Sequence, residues 1–323
     1  MPSLGTTLTR EEQVKRSMFR GASLHLENPE YLQAARAFLD ELLLEDTRPR
    51  DLTVAALGIG SEQAAGRILA KQTGIVAGIA EYRWLLGRGG IVVKALKKDG
   101  DAIERGDVLL EIEGERGALL SYERVGLNLL QRMSGIATMT HDLQERVRRR
   151  NPATAVVGTR KTPWGLLDKR ALHLGGGGTH RLGLGDAILV KNNHLALLAN
   201  REEEAAPIAV RRAWSLRESA VFIEVEVRSK TGALAAAAAF RQLREQDSAA
   251  CPCWLLLDNT APEQIRDILQ TLRAEHLLEH VLIEGSGNIS EENAEAYADS
   301  GVDAMSSGAL THSARALDLS QKL

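Results

Sequence analysis

Cysteine is scarce in this chain: 323 residues contain two, Cys251 and Cys253, separated by Pro252 and followed by Trp254 in an apolar run. A zinc site needs further ligands nearby, and none stands at zinc-site spacing, so the pair is expected as buried thiols in a reducing, cytoplasmic setting. Long apolar runs are missing too. No stretch of about eighteen apolar residues occurs, which argues against a membrane-spanning helix, and the opening MPSLGTTLTREEQVKRSMFR lacks the apolar core of a signal peptide. Nor is there an excess of charge of either sign: Lys and Arg number 40 against 43 Asp and Glu, for a formal charge of −3 and a pI near 6.3. That balance argues against broad nucleic-acid or membrane affinity, which is usually met with an extended basic surface.

Cationic charge is nevertheless gathered in one place. Between Gly158 and His194 stand Arg160, Lys161, Lys169, Arg170, Arg181 and Lys191, against only Asp168 and Asp186. Four consecutive glycines, Gly175 to Gly178, precede His180 and Arg181, and glycine lets backbone bend sharply and approach a ligand closely. The pattern predicts a pocket for a highly anionic small molecule. Within it Lys169 and Arg170 are expected on a solvated helix face, as are Arg146 and Arg148 to Arg150, while His173 and His194 stay unassigned.

From about residue 153 short β-branched or aliphatic runs alternate with helical-period segments, the pattern of βα units around a parallel sheet. Strands are expected at 154–158, 187–191, 221–227, 253–258, 281–285 and 303–308. Helix-forming segments lie between them, with Thr260 and Ser290 as N-caps. Polar residues fall at the C-terminal strand ends: Arg160 and Lys161, Lys191, Glu226, Asp258, Ser286 and Gly287, then Ser307 and Gly308. In a βα barrel those ends converge on one face, where active sites are built. An open doubly wound sheet would normally carry a glycine fingerprint after its first strand, and none is found. The segment is shorter than the roughly 250 residues of an eight-unit barrel, so an incomplete barrel is expected. Glu224 and Glu226 share one strand face, which favours a polar barrel interior.

The first 125 or so residues read differently. Residues 31–46 form an amphipathic helix with Leu32, Ala35, Phe38, Leu39 and Leu42 on one side. Strands broken by Gly and Asp-Gly turns are expected over 64–79 and 89–120, and residues 121–143 form a long helical link with Leu127, Leu130, Met133 and Ala137 facing one way. DAIERGDVLLEIEG is similar to a half-motif of biotinyl and lipoyl carriers, but Lys94, Lys97 and Lys98 lack the required neighbours, so a β-sandwich is preferred to a swinging arm.

ERVGLNLLQRMSGIAT, GTRKTPWGLLDKRALHLGGGGTHRLGLGDAILVKNNHL, IEVEV, LLLDN, IEGSGNI and GVDAMSSGALTHSARALDLS resemble, in that order and over most of the chain, the quinolinate phosphoribosyltransferases. The resemblance implies an N-terminal open α/β sandwich domain at 1–126, joined by the C-terminal tail 309–323, and an incomplete α/β barrel at 127–308. It also implies a homodimer or higher oligomer in which the sandwich of one subunit covers its neighbour's barrel. The implied reaction joins quinolinate to phosphoribosyl pyrophosphate with Mg²⁺, giving nicotinate mononucleotide, pyrophosphate and carbon dioxide. By the same resemblance Arg124 (from the adjacent subunit), Arg160, His180, Arg181 and Lys191 hold quinolinate. Lys161, Glu226 and Asp258 engage phosphoribosyl pyrophosphate, the two acids through ribose hydroxyls and metal, and Ser286, Gly287, Asn288 and Gly308 bind the 5-phosphate. The chain departs from the family pattern at Gly158, where an acid is common, at Asn192 in KNNH and at Asn288 in SGN. Other readings are a pyrophosphorylase-like protein of molybdenum transport, a nicotinate phosphoribosyltransferase, which needs one carboxylate clamp fewer, and a non-catalytic phosphoribosyl-metabolite binder, which does not call for two acids.

Overall fold

A computed structural model describes residues 8–247 and 251–323. In chain order its strands are β1 (Gln63–Ala70), β2 (Gly74–Ile75), β3 (Val92–Ala95), β4 (Ala102–Ile103), β5 (Val108–Glu115), β6 (Ala155–Val157) and β7 (Ile188–Val190). They continue with β8 (Ile223–Val227), β9 (Cys253–Asp258), β10 (Leu282–Ser286), β11 (Ala304–Ser306) and β12 (Leu319–Lys322). Two compact units, each discontinuous in sequence, contain them. One comprises Gly21–Asp142, Lys161–Gly177 and Leu310–Leu323; the other comprises residues up to Arg20, Leu143–Arg160 and Gly178–Ala309. The first helix packs into the core of the second unit, and the last strand pairs in the first.

The first unit is an open α/β sandwich. Its antiparallel sheet runs β12-β1-β5-β3, with a β2-β4 pair beside it. The helix Pro29–Thr47 begins where Asn28 accepts the amide of Glu30 and Pro29 supplies a preset φ. It buries Tyr31, Ala35 and Leu39, with Leu32, Phe38 and Leu42 half-buried, as the periodicity predicts. The helix Ile79–Gly87 falls between the two regions read as strands, 64–79 and 89–120, where no element was expected. Its N-cap, Gly78, offers no side chain; Asp99, twenty residues on, accepts the amides of Ile79 (2.8 Å) and Ala80 (3.4 Å) instead. A remote cap of this kind leaves no local start signal. The long helix Glu123–Arg150 buries Leu127, Leu130, Met133 and Ala137 as expected.

The second unit is an incomplete α/β barrel. Six parallel strands run β6-β11-β10-β9-β8-β7, and Gly178 adds a single parallel bridge beyond β6. The six expected strands are all present: 253–258 has the expected bounds, 281–285 is shifted by one residue, and the other four are shorter than expected. At the N-terminal end of the barrel Ala155, Ala187, Phe222, Trp254, Leu282 and Ala304 form an apolar cluster. The helix Arg10–Met18 seals it, inserting Val14 and Met18, while the Trp254 indole donates to Ser17 Oγ at 3.1 Å and Arg10 forks onto Asp303. Thr9 starts this helix with a capping box to Glu12.

Two expected caps are not used. Thr260 donates to the carbonyl of Asp258 while Ala261 precedes the helix Pro262–Ala274, and Ser290 lies upstream of Asn293, the N-cap of the helix Ala294–Asp299. Thr260 stands one residue ahead of its helix's N-cap, and Ser290 stands three ahead, where its hydroxyl accepts the amide of Glu292 at 3.3 Å and so closes the turn leading into the helix. Cys251 and Cys253 are buried free thiols as expected, and burial raises the pKa of each. Among the described residues no helix is long and apolar enough to cross a membrane.

Candidate active site

The barrel brings the expected strand-end residues onto one face. Asp258, Ser286, Ser306 and Val157 sit side by side in register across β9, β10, β11 and β6, and one layer below lie Glu226, Leu256, Glu284 and Ala304. Arg160 follows β6, Lys191 follows β7, and Gly308 precedes the short helix Ala309–His312 after β11. Arg124 and Lys161 belong to the other unit, Arg124 near the start of the long helix and Lys161 directly after Arg160.

Not all of the clustered cations stay on that face. Lys169 is fully buried, at 1% exposure, and Arg170 approaches Glu81 and Asp99 at 4.0 Å within the sandwich; neither occupies the solvated helix face expected of them. The reason is that the helix Leu166–Leu174 packs within the sandwich and buries Leu167, Asp168, Lys169, Ala171 and Leu172. Both acids of the stretch are committed as well: Asp168 to Arg132, and Asp186 to Arg20 at 2.9 Å and to the amide of Leu182. Arg160 and Lys191 are exposed and have no ion pair among the described residues. Arg181 is buried, donating to the carbonyl of Ala187 at 3.3 Å, and its pKa is lowered by burial and by the neighbouring charge of Arg160. Glu224 and Asp186 offset this only in part, and like charges held close together favour an anionic occupant.

The glycine run serves packing. A Cβ on Gly175 would stand 2.3 Å from the carbonyl oxygen of Ala137 on the long helix, and one on Gly178 would meet Val157 Cγ1 at 2.7 Å. At Gly175 the missing Cβ admits backbone against backbone, and at Gly178 it makes room for the Val157 side chain.

The acids are arranged for partial use. Glu226 Oε1 accepts the backbone amide of Asn192 at 3.3 Å, and the Asn192 side chain, where KDNH is commoner, accepts the amide of Asn193 at 2.7 Å. Asp258 takes both Nε (3.0 Å) and Nη2 (2.8 Å) of Arg228 on Oδ2, leaving Oδ1 outside the fork. Arg228 escaped the sequence reading because it falls past the end of β8, where an arginine looks like any solvated loop residue. The backbone beyond it is fixed by Glu202, which accepts the amides of Arg228 and Ser229 and the Ser229 hydroxyl. Two hard carboxylates, each with one oxygen uncommitted, fit a Mg²⁺ ion, which keeps several waters and takes one or two carboxylates plus phosphate oxygens.

Below this layer lies a cluster that sequence reasoning found only in part. His180, with φ +55°, points Nε2 between Glu224 Oε2 (3.2 Å) and Glu284 Oε2 (3.3 Å), and all three side chains are buried. Its Nδ1 accepts the amide of Arg181 at 2.7 Å, which assigns the ring proton to Nε2. The trio is compact enough for a cation, but a metal would need that nitrogen bare. The carboxylates have no other hydrogen-bond donor. Burial raises the pKa of Glu224, and Glu284 raises it further, to about 7. For His180 burial opposes the charged form, yet Glu284 and Glu224 outweigh it and lift the pKa to about 9. Both ring nitrogens of His180 are engaged within the barrel.

The opposite side of the face is built from main chain. Gly287 (φ +109°) and Asn288 (φ +50°) turn sharply after β10, and a Cβ on Gly287 would lie 2.5 Å from Asn259 Oδ1. Ser306 Oγ donates to Ser286 Oγ at 3.0 Å, Ser307 Oγ to the carbonyl of Ile289, and the Asn288 carbonyl accepts from Asn293. Such turns present successive amides, a common anion cradle.

Residues 51–134 match the family model of the quinolinate phosphoribosyl transferase N-terminal domain, and residues 136–322 match that of its C-terminal domain. A probable nicotinate-nucleotide pyrophosphorylase [carboxylating] from Archaeoglobus fulgidus is 38% identical over 79% of this chain and 93% of its own length. A second, from Methanothermobacter thermautotrophicus, is 35% identical over 88% of this chain and 96% of its own. Among solved structures, NadC from Streptococcus pyogenes superimposes with a TM-score of 0.77 at 34% identity, covering 90% of this chain and 96% of that one. With both domains matched end to end and the strand-end residues gathered as such a site requires, the chain belongs to the quinolinate phosphoribosyltransferase family.

Proposed function

We propose that this chain joins quinolinate to phosphoribosyl pyrophosphate, releasing pyrophosphate and carbon dioxide and forming nicotinate mononucleotide for NAD biosynthesis. The observation that carries this reading is that Arg160, with Arg181 beside it, and Lys191 follow barrel strands at the same ends as the carboxylates of Glu226 and Asp258. The cations match a dicarboxylate, which guanidinium groups grip through paired N–H donors. Arg124 of a neighbouring subunit completes that grip in a homodimer or higher oligomer, and the enzyme works in the cytoplasm. The Ser286–Asn288 turn and Gly308 hold the 5-phosphate, and Lys161 meets the pyrophosphate.

As the bond from ribose C1 to pyrophosphate breaks, C1 becomes cationic, and the Glu226 and Asp258 carboxylates stabilise that charge. The ring nitrogen of quinolinate, held in place by its carboxylates, supplies the electron pair for the new bond. The pyridinium so formed stabilises the carbanion left when the adjacent carboxylate departs as carbon dioxide, and a proton then replaces it. Mg²⁺, held by Glu226 and Asp258 with phosphate oxygens, would offset the charge developing on the leaving pyrophosphate. Arg228 holds Asp258 through Oδ2, so that Oδ1 remains available.

The test is chromatography of products after incubation with phosphoribosyl pyrophosphate, Mg²⁺ and either quinolinate or nicotinate. Nicotinate mononucleotide is expected from quinolinate, with nicotinate a poor substrate. Equal turnover of nicotinate, or no product from quinolinate, overturns the assignment.

A further inference from the structure

The loop that carries Lys161 is tied down by residues to which no role has been given above. Arg132, on the long helix, forks onto the fully buried Asp168 through Nε to Oδ1 and Nη2 to Oδ2, both at 2.9 Å. Asp168 Oδ2 also accepts the amide of Trp164 at 3.0 Å. The same Nη2 donates to the carbonyl of Thr311 at 3.2 Å, and the buried Thr311 hydroxyl donates to the carbonyl of Lys161 at 2.8 Å. The guanidinium lies 5.2 Å from the centre of the Trp164 ring, whose other neighbour is Phe38 at 5.1 Å. The segment from Lys161 to Trp164 is thus pinned at its first carbonyl and its last amide, and one guanidinium connects both pins.

Burying such a pair is a poor way to gain stability, since apolar side chains of similar volume commonly do as well or better. What apolar side chains cannot do is fix the direction of two backbone groups at the ends of a loop. We propose that Arg132, acting through Asp168 and Thr311, is a positioning residue that sets the Lys161–Trp164 backbone and thereby aims the Lys161 ammonium at phosphoribosyl pyrophosphate. The role of Lys161 rests on the function proposed above; the pinning of the loop does not.

Two readouts separate these layers. Arg132→Lys keeps the charge and loses the fork, and Thr311→Val removes one pin with little change of volume. Trypsin should cut native Arg132→Lys after Arg160 or Lys161 at least several-fold faster than wild type, because a loosened loop opens more often. An unchanged cutting rate overturns the pinning whether or not the protein is an enzyme. If wild type turns over quinolinate, the KM for phosphoribosyl pyrophosphate should rise about tenfold in Arg132→Lys, with less change for quinolinate, since a charge-assisted fork is lost. Thr311→Val should shift the same constant in the same direction. In a Lys161→Ala background, calorimetric titration with phosphoribosyl pyrophosphate and Mg²⁺ should show no further loss of affinity on adding Arg132→Lys. Equal losses in both backgrounds, or a wild-type KM in the folded Arg132→Lys and Thr311→Val variants, refute the positioning role. Failure of wild type to act on quinolinate counts against the proposed function alone.

Discussion

Arg181 and Glu226 share one barrel face but serve different stages of the reaction, so their removal should fail in different ways. Arg181→Ala takes away a carboxylate partner and should weaken quinolinate binding by about tenfold or more, seen by calorimetry. Glu226→Gln should mainly lower kcat, because its charge matters most as the ribosyl cation develops. Unchanged quinolinate affinity in the Arg181 variant would refute the clamp. The His180 cluster gives a stability signature. Its groups hold protons more tightly folded than unfolded, with His180 at about 9 against 6.5 and Glu224 at about 7 against 4.5. Raised folded values mean stabilisation that is complete below pH about 4.5 and fades as pH rises from there to about 9, first through Glu224 and then through His180. Urea midpoints should therefore fall across that window, and Glu284→Gln should flatten the fall. Much of the site was legible, since strand-end polar residues announce themselves. Glu284 was not, because one acid in an apolar strand reads as an exception until His180 and Glu224 are seen against it, and Lys169 was misread because a charged helix residue is normally solvated.

Elements were easier to find than their reasons. The barrel strands follow from apolar runs bounded by turn residues, and the long helix from its period. The helix Ile79–Gly87 was hidden by its remote cap, and the helix Arg10–Met18 gave no hint that its apolar side closes a core built from strands far along the chain. The glycine run makes a sharp element-level prediction. Gly175→Ala drives a methyl into the Ala137 carbonyl and should cost about 1–3 kcal/mol or more as overpacking. Gly176→Ala meets open space but sits at φ +83°, so about 1–2 kcal/mol is expected from backbone strain alone. Denaturant unfolding of the two variants measures this order, and a larger loss at Gly176 would contradict it.

For the whole molecule, the reading of Arg124 as a neighbour's ligand predicts complementation. Arg124→Ala and Lys191→Ala, each inactive alone, should recover activity when their subunits are mixed. Random pairing makes about half the dimers mixed and about half of their sites whole, so about a quarter of wild-type activity should return in a two-fold assembly. Activity that stays at the level of the separate variants despite proven exchange places Arg124 outside its neighbour's site. Another consequence follows from the way the chain's two described ends are used. Ala70 pairs with Leu319 and Arg67 with Lys322, while Val14 and Met18 fill a core whose strands start at Ala155. A ribosome therefore releases the plug helix long before the barrel it closes, and the outer edge of β1 waits for the final strand. Until β12 emerges, β1 offers unpaired backbone to any neighbouring nascent chain, the circumstance in which edge strands aggregate. Translation stalled upstream of residue 319 should thus leave a chaperone-dependent, association-prone intermediate rather than a folded sandwich awaiting its barrel.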